Sequence, residues 1–256
     1  MNSRERLVAA SRGGSVDHAP WFGYCENAEK ETLSRFARKW APDVLVARNS
    51  ADARELLAEF GADGPAVLVE VWNPFGYAKE AGEDLSEAFR NDPRGGEELL
   101  ERFFSMTCAK TYEALDVGCD GIFYRLFGAT PFETTPMEYG GFFLEKDREL
   151  LESIVEARFN VLSVEGGEGV YLDFVHDLPC SALAWDEKAS KITPQRVREI
   201  HSGALACGLE ADYARLWEEF GYTGIVFFGR VENLDSYDFS KVKEATSQLR
   251  SPVVHD

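Results

Sequence analysis

Three charged residues interrupt runs that are otherwise apolar. Glu70 lies in Ala66–Trp72, Arg125 in Gly121–Leu126, and Glu165 closes Asn160–Glu165. A charge in a buried run is costly unless it is paired or used, so each of the three needs a reason. Two kinds of chemistry fit. An arginine can hold an anionic group through its planar fork of donors. Two carboxylates sharing an enclosed space acquire separated pKa values, so that one serves as acid and the other as base. The alternative is a structural network of Arg–Glu pairs between neighbouring strands, and residue types alone leave both open.

More polar residues gather where other apolar runs end. These are Tyr24, Cys25, Glu26 and Asn27, then Arg48 and Asn49, then Trp72, Asn73, Tyr124 and Glu168. Trp185, Asp186, Lys188, Glu210, Arg230 and Glu232 complete the set. The candidate catalytic residues are Asp186, Glu165 and Arg125. Glu26, Arg48, Glu70, Trp72, Tyr124, Trp185, Glu210 and Arg230 are the candidate substrate-binding residues. The four histidines (His18, His176, His201, His255) have no metal-binding spacing, and His18 and His201 precede strand-like runs, on the wrong side for chemistry. Gly166-Gly167-Glu168-Gly169 has backbone amides that could cradle an anion, but Glu168 disfavours phosphate and a tight turn explains it as well. Cys25 and Cys207 have no base nearby in sequence and read as core residues.

The elements that must position these groups are legible by period. Strand-like runs occur at Ala19–Cys25, Asp43–Arg48, Ala66–Trp72, Gly121–Leu126, Asn160–Glu165, Ser181–Asp186, Gly203–Gly208 and Thr223–Gly229. Each is short and apolar on nearly every residue, as a strand buried on both faces must be. Helical patterns follow them. Glu97–Asp116 puts Leu100, Phe103, Phe104, Thr107, Thr111 and Leu115 on one face, and Thr193-Pro194 opens another helix. Ala51–Phe60 and Ala211–Phe220 each stop at a glycine, Asp238–Leu249 comes last, and Ser3–Ala10 precedes the first strand. Eight strand–helix alternations in 256 residues predict a single-domain (β/α)8 TIM barrel. The strand ends are then the mouth. Two long connections, Asn73–Gly96 and Phe127–Phe143, should rise over it as loops that pack on the surface or form an aromatic lid.

Composition narrows the partners. With 45 acidic against 27 basic residues the net charge is −18, which repels nucleic acid and anionic lipid. No apolar run is long enough to span a bilayer and no signal peptide opens the chain, so a cytoplasmic protein acting on a small molecule is expected. Five cysteines without CxxC spacing suit a reducing compartment.

Asn2-Ser3-Arg4-Glu5-Arg6-Leu7, followed by Asp17-His18-Ala19-Pro20-Trp21, resembles the opening of the uroporphyrinogen decarboxylase superfamily. That superfamily also contains the methylcobamide:coenzyme M methyltransferases. The similarity continues through Asp92-Pro93, Ala114-Leu115-Asp116-Val117-Gly118-Cys119-Asp120-Gly121-Ile122 and Ala182-Leu183-Ala184-Trp185-Asp186. It implies a (β/α)8 barrel, a shortened chain and a homodimer. The decarboxylases carry Arg-Gln-Ala-Gly-Arg after the first strand to hold substrate carboxylates. This chain has Phe22-Gly23-Tyr24-Cys25-Glu26-Asn27-Ala28, without an arginine. The methyltransferases carry a His-x-Cys pair and a late Cys that bind zinc. Here Ser163-Val164-Glu165 and Arg230 stand at those positions, so zinc is not expected, although Glu165 could ligate a hard cation through oxygen. The resemblance thus implies methyl transfer with a corrinoid such as methylcobalamin, brought by a corrinoid protein. A metal-free decarboxylase or lyase acting on a small carboxylate, and a non-catalytic binding protein with a decayed site, are the alternatives.

Overall fold

The computed structural model describes residues 1–252, so His255 lies outside the described residues. Eight parallel strands follow one another: β1 (Trp21–Tyr24), β2 (Val44–Ala47), β3 (Ala66–Trp72), β4 (Gly121–Leu126), β5 (Val161–Val164), β6 (Ala182–Trp185), β7 (Ala204–Gly208) and β8 (Ile225–Arg230). They lie in the order β1-β8-β7-β6-β5-β4-β3-β2, with helices between successive strands. Between β1 and β2 the ring is drawn together by Asp43. Its N–H donates to the Trp21 carbonyl at 2.9 Å, and its carboxylate accepts from the Trp21 N–H at 3.0 Å. The chain is a (β/α)8 barrel, and all eight strand-like runs are strands, most of them a few residues shorter than the apolar run.

Strand alternation sorts the side chains into two layers. Phe22, Val44, Leu68, Phe123, Val161, Ala182, Ala204 and Val226 are among those that fill the barrel. Leu45, Val67, Ile122, Tyr124, Leu162, Trp185 and Phe227 point outward into the helix layer. The filling is uneven. Phe22, Phe123 and Phe228 pack together, with ring centroids 4.7 Å apart for Phe22–Phe228 and 6.0 Å for Phe123–Phe228. On β6 and β7 the inward residues are Ala182, Ala184, Ala204 and Ala206.

The floor is held by charge. The helix Ser3–Ser11 begins with a capping box between Asn2 and Glu5, and it carries Arg4 and Arg6 below the strands. Arg4 and Arg158 reach Asp120 at 2.8 and 2.7 Å, while the other oxygen of Asp120 accepts the Val67 N–H at 2.9 Å. Arg6 binds Asp43 and, at 2.7 Å, Asp17.

Both long connections differ from the loops expected. Asn73–Gly96 contains the helices Pro74–Glu80 and Leu85–Asn91 and the start of Pro93–Asp116. The signals were local: Asn73, Asp84 and Asp92 cap the three N-termini, and Pro74 and Pro93 occupy the first helical position. Phe127–Phe143 folds its second half into the helical turn Pro136–Glu138 and the π-helix Tyr139–Phe143, which runs on into Leu144–Ser153.

Candidate functional site

Five strands, β1, β3, β4, β5 and β8, contribute to one ion-pair network at the C-terminal mouth. Arg125 projects inward from β4, and Glu165 stands directly after β5. Arg125 donates through Nε and Nη2 to the two oxygens of Glu165, both at 3.1 Å. Its Nη1 reaches Glu26 at 2.8 Å and Glu70 at 3.0 Å. Arg230, at the end of β8, binds both oxygens of Glu165 from the other side, at 2.6 Å through Nη1, and donates to the Ser163 hydroxyl at 2.7 Å. Tyr24 and Trp72 donate to Glu70 at 2.9 and 2.6 Å. The guanidinium of Arg125 lies 5.0–5.9 Å from the ring centres of Phe127, Trp72 and Tyr24, a favourable seat for a planar cation. Burial alone would raise the Glu165 carboxyl, but Arg230 and then Arg125 outweigh it and hold the group below the ordinary carboxylate range. Glu165 is therefore a fixed anion. Neither arginine offers a free fork to a substrate carboxylate.

Beside this network, at the ends of β6, β7 and β8, opens a cleft of about 430 Å³. Asp186, Glu187, Lys188, Leu209, Glu210, Ala211, Phe228 and Arg230 are among its lining residues. Asp186 caps the helix Glu187–Ser190 by accepting the Ala189 N–H at 2.8 Å. Glu187 is half-buried and accepts the Gly208 N–H at 2.5 Å. That amide is turned by a backbone φ of +77° at Gly208, and an added Cβ would meet Leu216 at 2.7 Å, so only glycine serves here. Burial pushes the Glu187 carboxyl above its ordinary range, the Gly208 N–H opposes this, and the nearby charges of Asp186 and Glu210 raise it further. The surroundings of Glu187 thus resist its ionisation, which fits a carboxyl that exchanges a proton.

The sequence candidates therefore divide. Glu26, Glu70, Trp72, Arg125, Glu165 and Arg230 come together in the network, and Trp185, Asp186, Glu210 and Arg230 line the cleft. Arg48 does not join either: its side chain is exposed and pairs with Asp52 at 2.6 Å, at the start of the helix Ser50–Phe60. Tyr124 faces away from the mouth, because strand alternation that turns Arg125 inward must turn its neighbour outward. Its hydroxyl donates to buried Asp147 at 2.7 Å. Trp185, at the end of β6, lines the cleft although it is buried, with its indole N–H on the Ile192 carbonyl at 2.9 Å. Glu187 was not singled out from sequence. The available signal was an acidic residue inside Trp185-Asp186-Glu187-Lys188, facing a strand that ends in glycine. Gly166–Gly169 is a turn, with the Val170 N–H on the Gly167 carbonyl, and burial raises the Cys25 and Cys207 thiols away from reactivity.

No family model matches the chain, and no curated protein matches it. Among solved structures, it is similar to a methyltransferase from Methanosarcina mazei, at 11% identity and a TM-score of 0.70, over 96% of this chain and 97% of that one. It is also similar to the aminoacrylate-bound tryptophan synthase from M. tuberculosis, at 11% identity and a TM-score of 0.50, over 97% and 98%. At such identities the likeness is one of fold. No helix among the described residues is long and apolar enough to cross a membrane.

The positions that the superfamily resemblance gives to zinc ligands, Ser163, Glu165 and Arg230, do converge. They converge as a hydrogen-bonded serine, carboxylate and guanidinium, with the cationic head of Arg230 itself bound to the other two. A zinc ion would have to displace that guanidinium while gaining no sulfur or nitrogen ligand, so the residues present do not fit it.

Proposed function

We propose that the chain is a small-molecule enzyme that works by metal-free acid–base chemistry in the cleft at the ends of β6, β7 and β8. The carrying observation is Glu187, a carboxyl raised by burial and by like-charged neighbours, in a cleft at the barrel mouth. In a lyase-type reaction Glu187 exchanges the proton on the atom that keeps the electron pair of the broken bond, and solvent restores the resting state. Asp186 orients the substrate from the adjacent helix cap. Arg230, fixed by Glu165 and Ser163, forms a rigid wall. Arg125 is a positioning residue that holds Glu165 in place.

Methyl transfer is the second reading, and it draws on the higher overall likeness to the Methanosarcina methyltransferase. In that case any corrinoid would be presented at the rim by a partner protein. The test is conversion of a small-molecule extract by the wild type in D2O, with chelator present, against Glu187→Gln. The acid–base reading expects a product carrying solvent deuterium that the variant makes at least about 100-fold more slowly. Equal conversion by both proteins removes Glu187 from the chemistry. A product that differs from its precursor by one methyl group favours the second reading.

A further inference from the structure

The charged groups around the cleft do not balance, and the imbalance bears on what it binds. Lys188 is committed to Glu210, with Nζ and carboxylate 2.5 Å apart. Arg230 is committed to Glu165 and Ser163. Arg125, behind it, is shared by Glu165, Glu26 and Glu70. Asp186 and Glu187 have no such partner. Among the described residues neither makes an ion pair, and each accepts only a backbone N–H, from Ala189 and Gly208 respectively. With Lys188 and Glu210 cancelling, the mouth sets two guanidiniums against five carboxylates. An anionic ligand would enter a negative potential in a half-enclosed space where charges are weakly screened. A cation would find two carboxylates with unused lone pairs beside an apolar wall of Leu209, Ala211 and Phe228.

We propose that the cleft takes a small molecule bearing a positively charged nitrogen, a protonated amine or a quaternary ammonium, with that nitrogen beside Asp186 and Glu187. This rests on the cleft being the working site, and it specifies the substrate's charge, which the acid–base reading leaves open. Burial is the main cause of the raised Glu187 carboxyl, but the charges of Asp186 and Glu210 raise it too, in keeping with negative surroundings.

The test is calorimetric titration with three isosteres that differ in charge: choline, neutral 3,3-dimethylbutanol and anionic 3,3-dimethylbutanoate. The expected result is choline binding at least about tenfold more tightly than the alcohol, and the carboxylate more weakly than either. Asp186→Asn with Glu187→Gln should bring choline to the level of the alcohol. Both substitutions keep shape, and asparagine caps a helix as well as aspartate, so the variant should fold. Because the protein carries a charge of −18, Glu152→Gln with Glu156→Gln, two exposed carboxylates outside the cleft lining, is the control and should leave choline binding unchanged. Equal binding of choline and the alcohol, tightest binding of the carboxylate, or a choline preference that survives the cleft variant overturns the proposal. A choline preference alongside full turnover by Glu187→Gln overturns the acid–base reading and leaves this one standing.

Discussion

Both guanidiniums of the mouth depend on Glu165. It accepts four hydrogen bonds from Arg125 and Arg230 and is almost wholly buried. Glu165→Gln keeps the shape but leaves two cations facing one another with Glu26 and Glu70 only on the Arg125 side. Breaking a buried pair in this way costs about 3–5 kcal/mol, which urea unfolding at pH 7 would register as a lower midpoint with an unchanged slope. A loss below about 1 kcal/mol would mean that water already solvates the network. Because folding lowers the Glu165 carboxyl, its stabilising contribution is present above the unfolded value and is lost as pH falls through the folded one. The pairing of Arg125 with Glu165 was legible because both broke apolar runs on neighbouring strands. Glu187 was not, because it lies past the end of a strand among other polar residues. Only its burial and the Gly208 amide distinguish it, and both are tertiary facts.

At the scale of elements, the connection after β4 is fastened at one buried acid. Asp147, on the helix Leu144–Ser153, accepts the hydroxyls of Tyr124 and Tyr139 at 2.7 and 2.8 Å and the Asn73 amide at 3.3 Å. It thereby joins β4, the π-helix and the cap of the helix Pro74–Glu80. Burial raises its carboxyl from 3.8 to about 6 against the pull of those three donors. An acid raised on folding favours the folded state while both forms are neutral. Its contribution is therefore full below about pH 3.8, declines as pH rises, and is gone above about 6. Relative to Asp147→Asn, the wild type should lose about 3 kcal/mol of stability between pH 3.5 and pH 7. Unfolding free energies of both proteins at the two pH values measure this, and a pH-independent difference would show that folding does not shift the Asp147 carboxyl. The strands themselves were legible because a parallel barrel buries both faces and so writes continuous apolar runs. The helices in the connection after β3 were obscured by its glycines and prolines, which read as loop until Asn73, Asp84 and Asp92 are recognised as caps.

On the scale of the whole molecule, the ion pairs of the floor and the cleft of the mouth lie at opposite ends of the barrel axis. The residues that carry much of the superfamily resemblance, Arg4, Arg6, Asp17 and Asp120, work on the floor, at the opposite end from the cleft. They speak to closure of the barrel and not to what its mouth does, which is why the sequence points firmly to a fold and only loosely to a reaction. Closure has a weak point. β1 and β2 are neighbours in the ring without a ladder of their own among the described residues. Asp43 spans the gap through two hydrogen bonds to Trp21, held by Arg6 beneath. Local opening should therefore begin at this seam, with the amides of β1 and β2 exchanging hydrogen faster than those of β4 and β5. Asp43→Asn retains an acceptor for the Trp21 N–H but removes the charge that anchors Arg6. Exchange at the seam should then quicken by at least about tenfold while β4 and β5 change little. If every strand quickens together, the barrel opens only by global unfolding and Asp43 stabilises it as a whole.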